Sequence, residues 1–222
     1  MAPATAKLVS LGFLLLAAAS STPLAAATTL TLHNLCPYPV WPLVTPNTGF
    51  PSISDNTGRL DGGGRGLVSF RFPPSFWAGR VVARTGCGGS ACETGASPPA
   101  TVVQLVVHAE GQDLAAYSVS LVDGFNVPVV VTPHGFAEGR RCPTLGCAAD
   151  LAAGCPVGAR APGGGCGAGA SQAAAFKARC PDTRTTATDV EATPQDCAAP
   201  GEIKVVFCPA PDSVASHASL AK

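Results

Sequence analysis

Cysteine is the residue type with the most chemistry to offer in this chain. Ten cysteines occur, at Cys36, Cys87, Cys92, Cys142, Cys147, Cys155, Cys166, Cys180, Cys197 and Cys208. At such a density thiols either ligate a soft metal or oxidise in pairs. Structural zinc sites pair cysteines with two to four residues between them and add a second such pair or a spaced histidine pair. Here the short intervals are C-x4-C, and His33, His108, His134 and His217 stand singly along the chain. An even set of cysteines with no accompanying histidine pattern reads as a closed disulfide framework formed in an oxidising compartment. Five bridges permit hundreds of pairings, so spacing alone leaves the connectivity open. No metal site and no cofactor are expected.

The start of the chain agrees with that compartment. Lys7 precedes an apolar run from Leu8 to Ala19, and small residues follow to Ala25-Ala26-Ala27. This is the order of a secretory signal peptide, and the run is shorter than the roughly 20 residues needed to span a bilayer. Residues 1–27 are therefore expected to be cleaved, leaving a secreted chain that begins near Thr28. Their removal takes away Lys7 and no acid, leaving 13 basic against 14 acidic residues. With no basic run or basic–aromatic stripe, nucleic-acid binding is not expected, and no later segment is long enough for a membrane span. No Asn-x-Ser/Thr acceptor occurs.

The elements that must position the cysteines are short strands. Thr29 to His33 alternates polar and apolar residues, and similar segments recur at 66–72, 80–84, 101–107, 117–122, 127–131 and 203–207. Asp61-Gly62-Gly63-Gly64, Phe72-Pro73-Pro74, Ala109-Glu110-Gly111 and Asp123-Gly124 separate them as turns. Short strands without long intervening helices predict an antiparallel sandwich or barrel, with Arg65, Arg71 and Arg80 on a solvent face. Between Cys142 and Cys180 the composition shifts to Ala and Gly. That stretch is expected to form a loop-rich lobe with one short helix over 171–179, capped by Ser171. Residues 209–222 read as a flexible tail.

Five ordered segments carry a resemblance: 32–41 (LHNLCPYPVW), 79–87 (GRVVARTGC), 118–128 (SVSLVDGFNVP), 161–166 (APGGGC) and 206–209 (VFCP). Together they resemble the thaumatin-like family, the plant pathogenesis-related group that includes osmotin and sweet thaumatin. The resemblance implies a mainly β fold over 28–208, an antiparallel β-sandwich core with a small disulfide-pinned lobe containing at most a short helix. It also implies the pairing Cys36–Cys208, Cys87–Cys92, Cys142–Cys197, Cys147–Cys180 and Cys155–Cys166. Larger members carry further cysteines, and those absent here drop out as complete pairs.

Family members often line an acidic cleft with an arginine, a glutamate and three aspartates. By position the arginine is Arg84, two aspartates are Asp123 and Asp189, the glutamate is replaced by Gln104 and the remaining aspartate by Ser118. Glycoside hydrolysis uses one carboxylic acid and a second carboxylate across the bond, and an amide such as Gln104 cannot exchange a proton near neutral pH. The resemblance therefore implies a secreted, monomeric, non-enzymatic defence protein with antifungal character. It would bind β-1,3-glucan or another fungal cell-wall component through Arg84, Gln104, Asp123 and Asp189. Inhibition of microbial xylanases or other glycanases is the alternative, and weak glucanase activity the least expected. A structural reading stands beside the ligand reading: Asp123 capping its own turn and Arg84 pairing with it. Extracellular delivery to the apoplast is expected, with the vacuole as a second destination.

Overall fold

A computed structural model describes residues 28–89, 91–109, 113–190 and 197–211. The expected signal peptide and most of the tail lie outside them. Nine strands are present among these residues: β1 (Thr29–Asn34), β2 (Trp41–Pro46), β3 (Gly66–Arg71), β4 (Trp77–Arg84), β5 (Val102–Ala109), β6 (Leu114–Ser120), β7 (Val129–His134), β8 (Leu145–Cys147) and β9 (Glu202–Phe207). One helix, α1 (Ala170–Arg179), and a short 3-10 turn at Val157–Ala159 complete the elements. The strands form two sheets, in the orders β3-β1-β9-β7-β8 and β2-β4-β5-β6. All pairs are antiparallel except β1 with β9, which run parallel. A parallel pair needs a long connection, and here nearly the whole domain supplies it. The mainly β sandwich expected from the sequence is the architecture observed.

Alternation along the strands makes the core. Leu30 and Leu32 of β1, Trp77 and Val81 of β4, Leu105 of β5, Tyr117 of β6, and Ile203 and Phe207 of β9 are fully or almost fully buried between the sheets. Each such side chain contributes about 1.5–3 kcal/mol of transfer free energy. The two largest keep polar partners: Trp77 Nε1 donates to Pro51 O at 2.9 Å, and the Tyr117 hydroxyl donates to Pro143 O. Arg65, Arg71 and Arg80 are exposed, as the strand reading requires.

Two strands escape the sequence pattern. Trp41 to Pro46 holds two prolines, which break a central strand, but β2 lies at a sheet edge where a missing N–H is tolerated. β8 has only three residues. The helix begins one residue before its expected start, and its N-cap is Gly169, not Ser171. The Ser171 hydroxyl donates instead to Gln172 Oε1 at 3.0 Å.

The structure joins Cys36 to Cys208, Cys87 to Cys92, Cys142 to Cys197, Cys147 to Cys180 and Cys155 to Cys166. These are the partners that the resemblance implies. Cys36–Cys208 clamps the ends of the parallel β1/β9 pair across 172 residues of sequence. Cys147–Cys180 and Cys155–Cys166 lie in the lobe, where they share a small second core with Leu121, Phe125, Leu151 and Phe176.

Candidate functional site: a cleft between sheet and lobe

The lobe is fastened to the end of the four-stranded sheet by a short set of buried contacts. Phe125 and Cys166 exchange backbone hydrogen bonds at 2.9 and 2.7 Å. Next to them Asn126, 7% exposed, donates from Nδ2 to Ala83 O at 2.7 Å and to Thr94 Oγ1 at 3.0 Å. Its Oδ1 accepts from Thr101 N at 2.9 Å. One amide thus ties the end of β4, the segment that follows the Cys87–Cys92 bridge and the residue that precedes β5.

A concave site of about 760 Å³ opens over this junction. Tyr38 and Trp41 line it from the segment after Cys36, Glu93 from the position just past the Cys87–Cys92 bridge, and Asp150 from the lobe. Gly163 and Gly164 form part of the rim. Gly163 adopts φ +80°, and a Cβ there would lie 2.6 Å from Glu93 Cβ. Only glycine allows the lobe to approach Glu93 so closely. The Arg59 guanidinium sits 5.7 Å from the Trp41 ring centre and pairs with Asp61 at 3.1 Å. Partial burial pushes the Tyr38 hydroxyl above the usual phenol range, and the Asp150 carboxylate adds to the effect. Tyr38 is therefore a neutral O–H donor at every physiological pH. Glu93 and Asp150 are solvent-exposed acceptors.

The four side chains expected to form a site are not brought together. Arg84 points its guanidinium at backbone: Nε donates to Trp41 O at 3.1 Å, and Nη2 to Asn56 O at 3.0 Å and Pro42 O at 3.4 Å. No ion pair joins it to Asp123 among the described residues. Asp123 is exposed in its turn, where its carbonyl, not its carboxylate, accepts from Ala100 N at 3.1 Å. Asp189 accepts from Thr185 N at 2.8 Å and Thr185 Oγ1 at 2.9 Å, and lies 3.4 Å from Lys177 Nζ. The two Thr185 bonds, with Lys177 third, hold its carboxyl below the usual range. Gln104 lies on the outer face of β5, with Ser118 Oγ donating to its Oε1 at 3.5 Å, in a separate groove of about 310 Å³. Glu93 and Asp150 had no sequence signal, since each stands alone in a loop. Among the described residues no three His, Cys, Asp or Glu side chains gather as a metal site would require, and no helix is long and apolar enough to cross a membrane.

The thaumatin family model matches residues 34–169, a span that includes Cys36, the cleft residues Tyr38, Trp41, Glu93 and Asp150, and the first part of the lobe. This chain belongs to the thaumatin family. An osmotin-like protein of Solanum lycopersicum is 36% identical over 231 residues, covering 81% of this chain and 88% of the relative. Pathogenesis-related protein 5 of Arabidopsis thaliana is 36% identical, with 59% of this chain and 58% of that protein covered. A Prunus avium relative named glucan endo-1,3-beta-glucosidase is 38% identical over 59% of this chain and 58% of its own length. Among solved structures, a thaumatin-like xylanase inhibitor aligns with a TM-score of 0.45 at 20% identity, covering 81% of this chain and 99% of that one. The relatives mark this thaumatin-family chain as a plant defence-type protein, and its five disulfides fit secretion.

Proposed function

We propose that this thaumatin-family chain is secreted to the plant apoplast and there binds β-1,3-glucan of a fungal cell surface without hydrolysing it, an action with antifungal potential. The observation that carries this reading is the cleft over the sheet–lobe junction, where Tyr38 and Trp41 offer apolar ring surface beside Glu93 and Asp150. Sugars present C–H faces that lie against aromatic rings and hydroxyls that donate to carboxylates, and a concave, mostly apolar site with a few placed polar groups suits them. Hydrolysis asks for more. A general acid must be held protonated by burial or by a like-charged neighbour, whereas Glu93 and Asp150 both face water.

The test is retention on insoluble β-1,3-glucan at low salt, paired with a reducing-sugar assay. Trp41→Ala and Tyr38→Ala proteins should bind about tenfold more weakly, the scale of one lost aromatic contact, with no turnover by any form. Retention unchanged in both variants, or turnover abolished by Glu93→Gln or Asp150→Asn, would overturn the reading.

A second reading has its own observation. Phe76 is 45% exposed and packs edge-on to Phe50 at 5.2 Å, an aromatic pair at the surface that suits contact with a protein. Under that reading a microbial xylanase or other glycanase is the partner. A Phe76→Ala protein would then lose inhibition in a glycanase panel while keeping its retention on glucan.

A further inference from the structure

The connection between β7 and β8 is the most open piece of backbone among the described residues. Residues 134–141 are exposed without a break, and no other described run of exposed residues is as long. The segment is tied at both ends. Gly201 N donates to Gly135 O at 3.0 Å and Ala137 N to Ala198 O at 3.2 Å, while Cys142 is bridged to Cys197. Between these ties Arg140 N donates to Ala137 O at 3.2 Å, closing a turn through Gly139 at φ +75°. Among the described residues no backbone hydrogen bond holds Glu138, Gly139 or Arg141. Arg140 and Arg141 thus stand side by side on an exposed loop.

An endopeptidase takes its substrate as an extended segment whose main-chain N–H and C=O groups bond to the enzyme, so it cuts where those groups are exposed and not already paired. A pocket with a carboxylate at its base selects arginine through the guanidinium. The other basic residues described fail the first condition. Those in strands and in α1 have their backbone in ladders and helical turns, and Arg65 runs straight into β3. In loops, Leu60 N after Arg59 donates to Val40 O at 2.8 Å, Ala161 N after Arg160 to Gly165 O at 2.9 Å, and Arg184 N to Val119 O at 3.0 Å. We infer that the β7–β8 loop is a site of limited proteolysis by an arginine-specific endopeptidase. Water adds across the Arg140–Arg141 peptide bond, leaving a carboxylate on Arg140 and an amine on Arg141. That bond is favoured over the next because Cys142 is half-buried and bridged.

The topology fixes what the cut leaves. β1 to β7 stay on one piece, while β8, the lobe with α1, and β9 go to the other. β9 lies between β1 and β7 and pairs with each over six residues. Of the five disulfides, Cys36–Cys208 alone joins the two pieces. The product is a folded two-chain protein with that bridge as its covalent link.

Limited trypsin digestion of the full secreted, oxidised protein, read by mass spectrometry and N-terminal sequencing, tests the inference. The first cut should fall after Arg140, about tenfold or more faster than at any other bond, since the other sites must first open locally. Gels should show one band without reductant and two with it, and the nicked protein should keep a cooperative melting transition. Arg140→Gln leaves only Arg141 beside the bridged Cys142 and should slow the first cut about tenfold or more. Arg140→Gln combined with Arg141→Gln should abolish it, and Arg59→Gln should leave it unchanged. Both loop arginines are exposed, so unchanged melting temperatures check that slower cutting is not a change of fold. The inference is overturned if the first cut falls after another basic residue, or if the double variant is nicked as fast as the parent protein. It is also overturned if the folded protein resists an amount of trypsin that digests its reduced, unfolded form. Separation of the pieces without reductant would overturn the two-chain product.

Discussion

The two cores of this molecule are held by different means. Between the sheets, aliphatic and aromatic side chains from eight strands interlock, and the two buried cysteines there, Cys36 and Cys197, are a minor part of the apolar content. In the lobe the second core has eight buried residues, and four of them are cysteines. The sandwich buries enough apolar surface to offset the entropy of ordering its chain. A lobe made of Gly, Ala and turns cannot, and covalent links substitute for the missing side chains. The cleft lies where the two meet, so one wall is rigid by packing and the other by cross-links.

Removing the cross-links should separate the two cores more than any other change. A protein with Cys147, Cys180, Cys155 and Cys166 all changed to Ala loses two loop closures, spanning 33 and 11 residues of sequence. Each is worth about 2–5 kcal/mol. Hydrogen exchange should then show amides of 148–184 losing nearly all protection, while β1, β9 and β7 keep theirs. Glucan retention should fall with the lobe, because Asp150 leaves the cleft. Equal loss of protection in β9 would mean that the sandwich depends on the lobe, and the contrast would fail.

The junction between the cores is the next largest effect. Asn126→Ala deletes three hydrogen bonds and leaves Thr101 N and Ala83 O without their partner in a buried setting. The expected cost is about 2–4 kcal/mol, read as a lower urea midpoint. Asn126→Asp keeps an acceptor for Thr101 N but turns a carboxylate toward Ala83 O, and should destabilise at least as much at neutral pH.

The same contrast explains what the sequence made legible. Strands with period-two alternation, such as β1, β5 and β9, could be read because one face of each is buried in the sandwich. β2 could not, since Pro42 and Pro46 are acceptable only at an edge and edge position is a property of the assembled sheet. In the lobe the cysteine pairing followed from family resemblance, but the Gly169 cap had no side chain to announce it. Among site residues, Arg84 and Asp189 belong to familiar positions, yet backbone carbonyls take up the first and Thr185 the second. Glu93 and Asp150 reach the cleft from the position just after the Cys87–Cys92 bridge and from a turn after β8. Their meeting depends on how lobe and sheet dock, which no local pattern encodes.

Asp189 supplies the smallest and most discriminating effect. Its carboxyl is held below the ordinary range by the Thr185 N–H, the Thr185 hydroxyl and then Lys177. A carboxyl whose folded value is depressed adds stability that is complete above the ordinary aspartate value, about 3.9, and fades as pH falls through the lower folded value. Asp189→Asn keeps an oxygen that can accept from Thr185 and loses only the charge. It should therefore lower the melting temperature slightly at pH 7, and the gap to the parent protein should close as the pH drops below the aspartate range. Glucan retention should not change. If Asp189→Asn instead weakens retention without moving the melting curve, Asp189 contacts ligand. The lobe would then contribute chemistry as well as a wall.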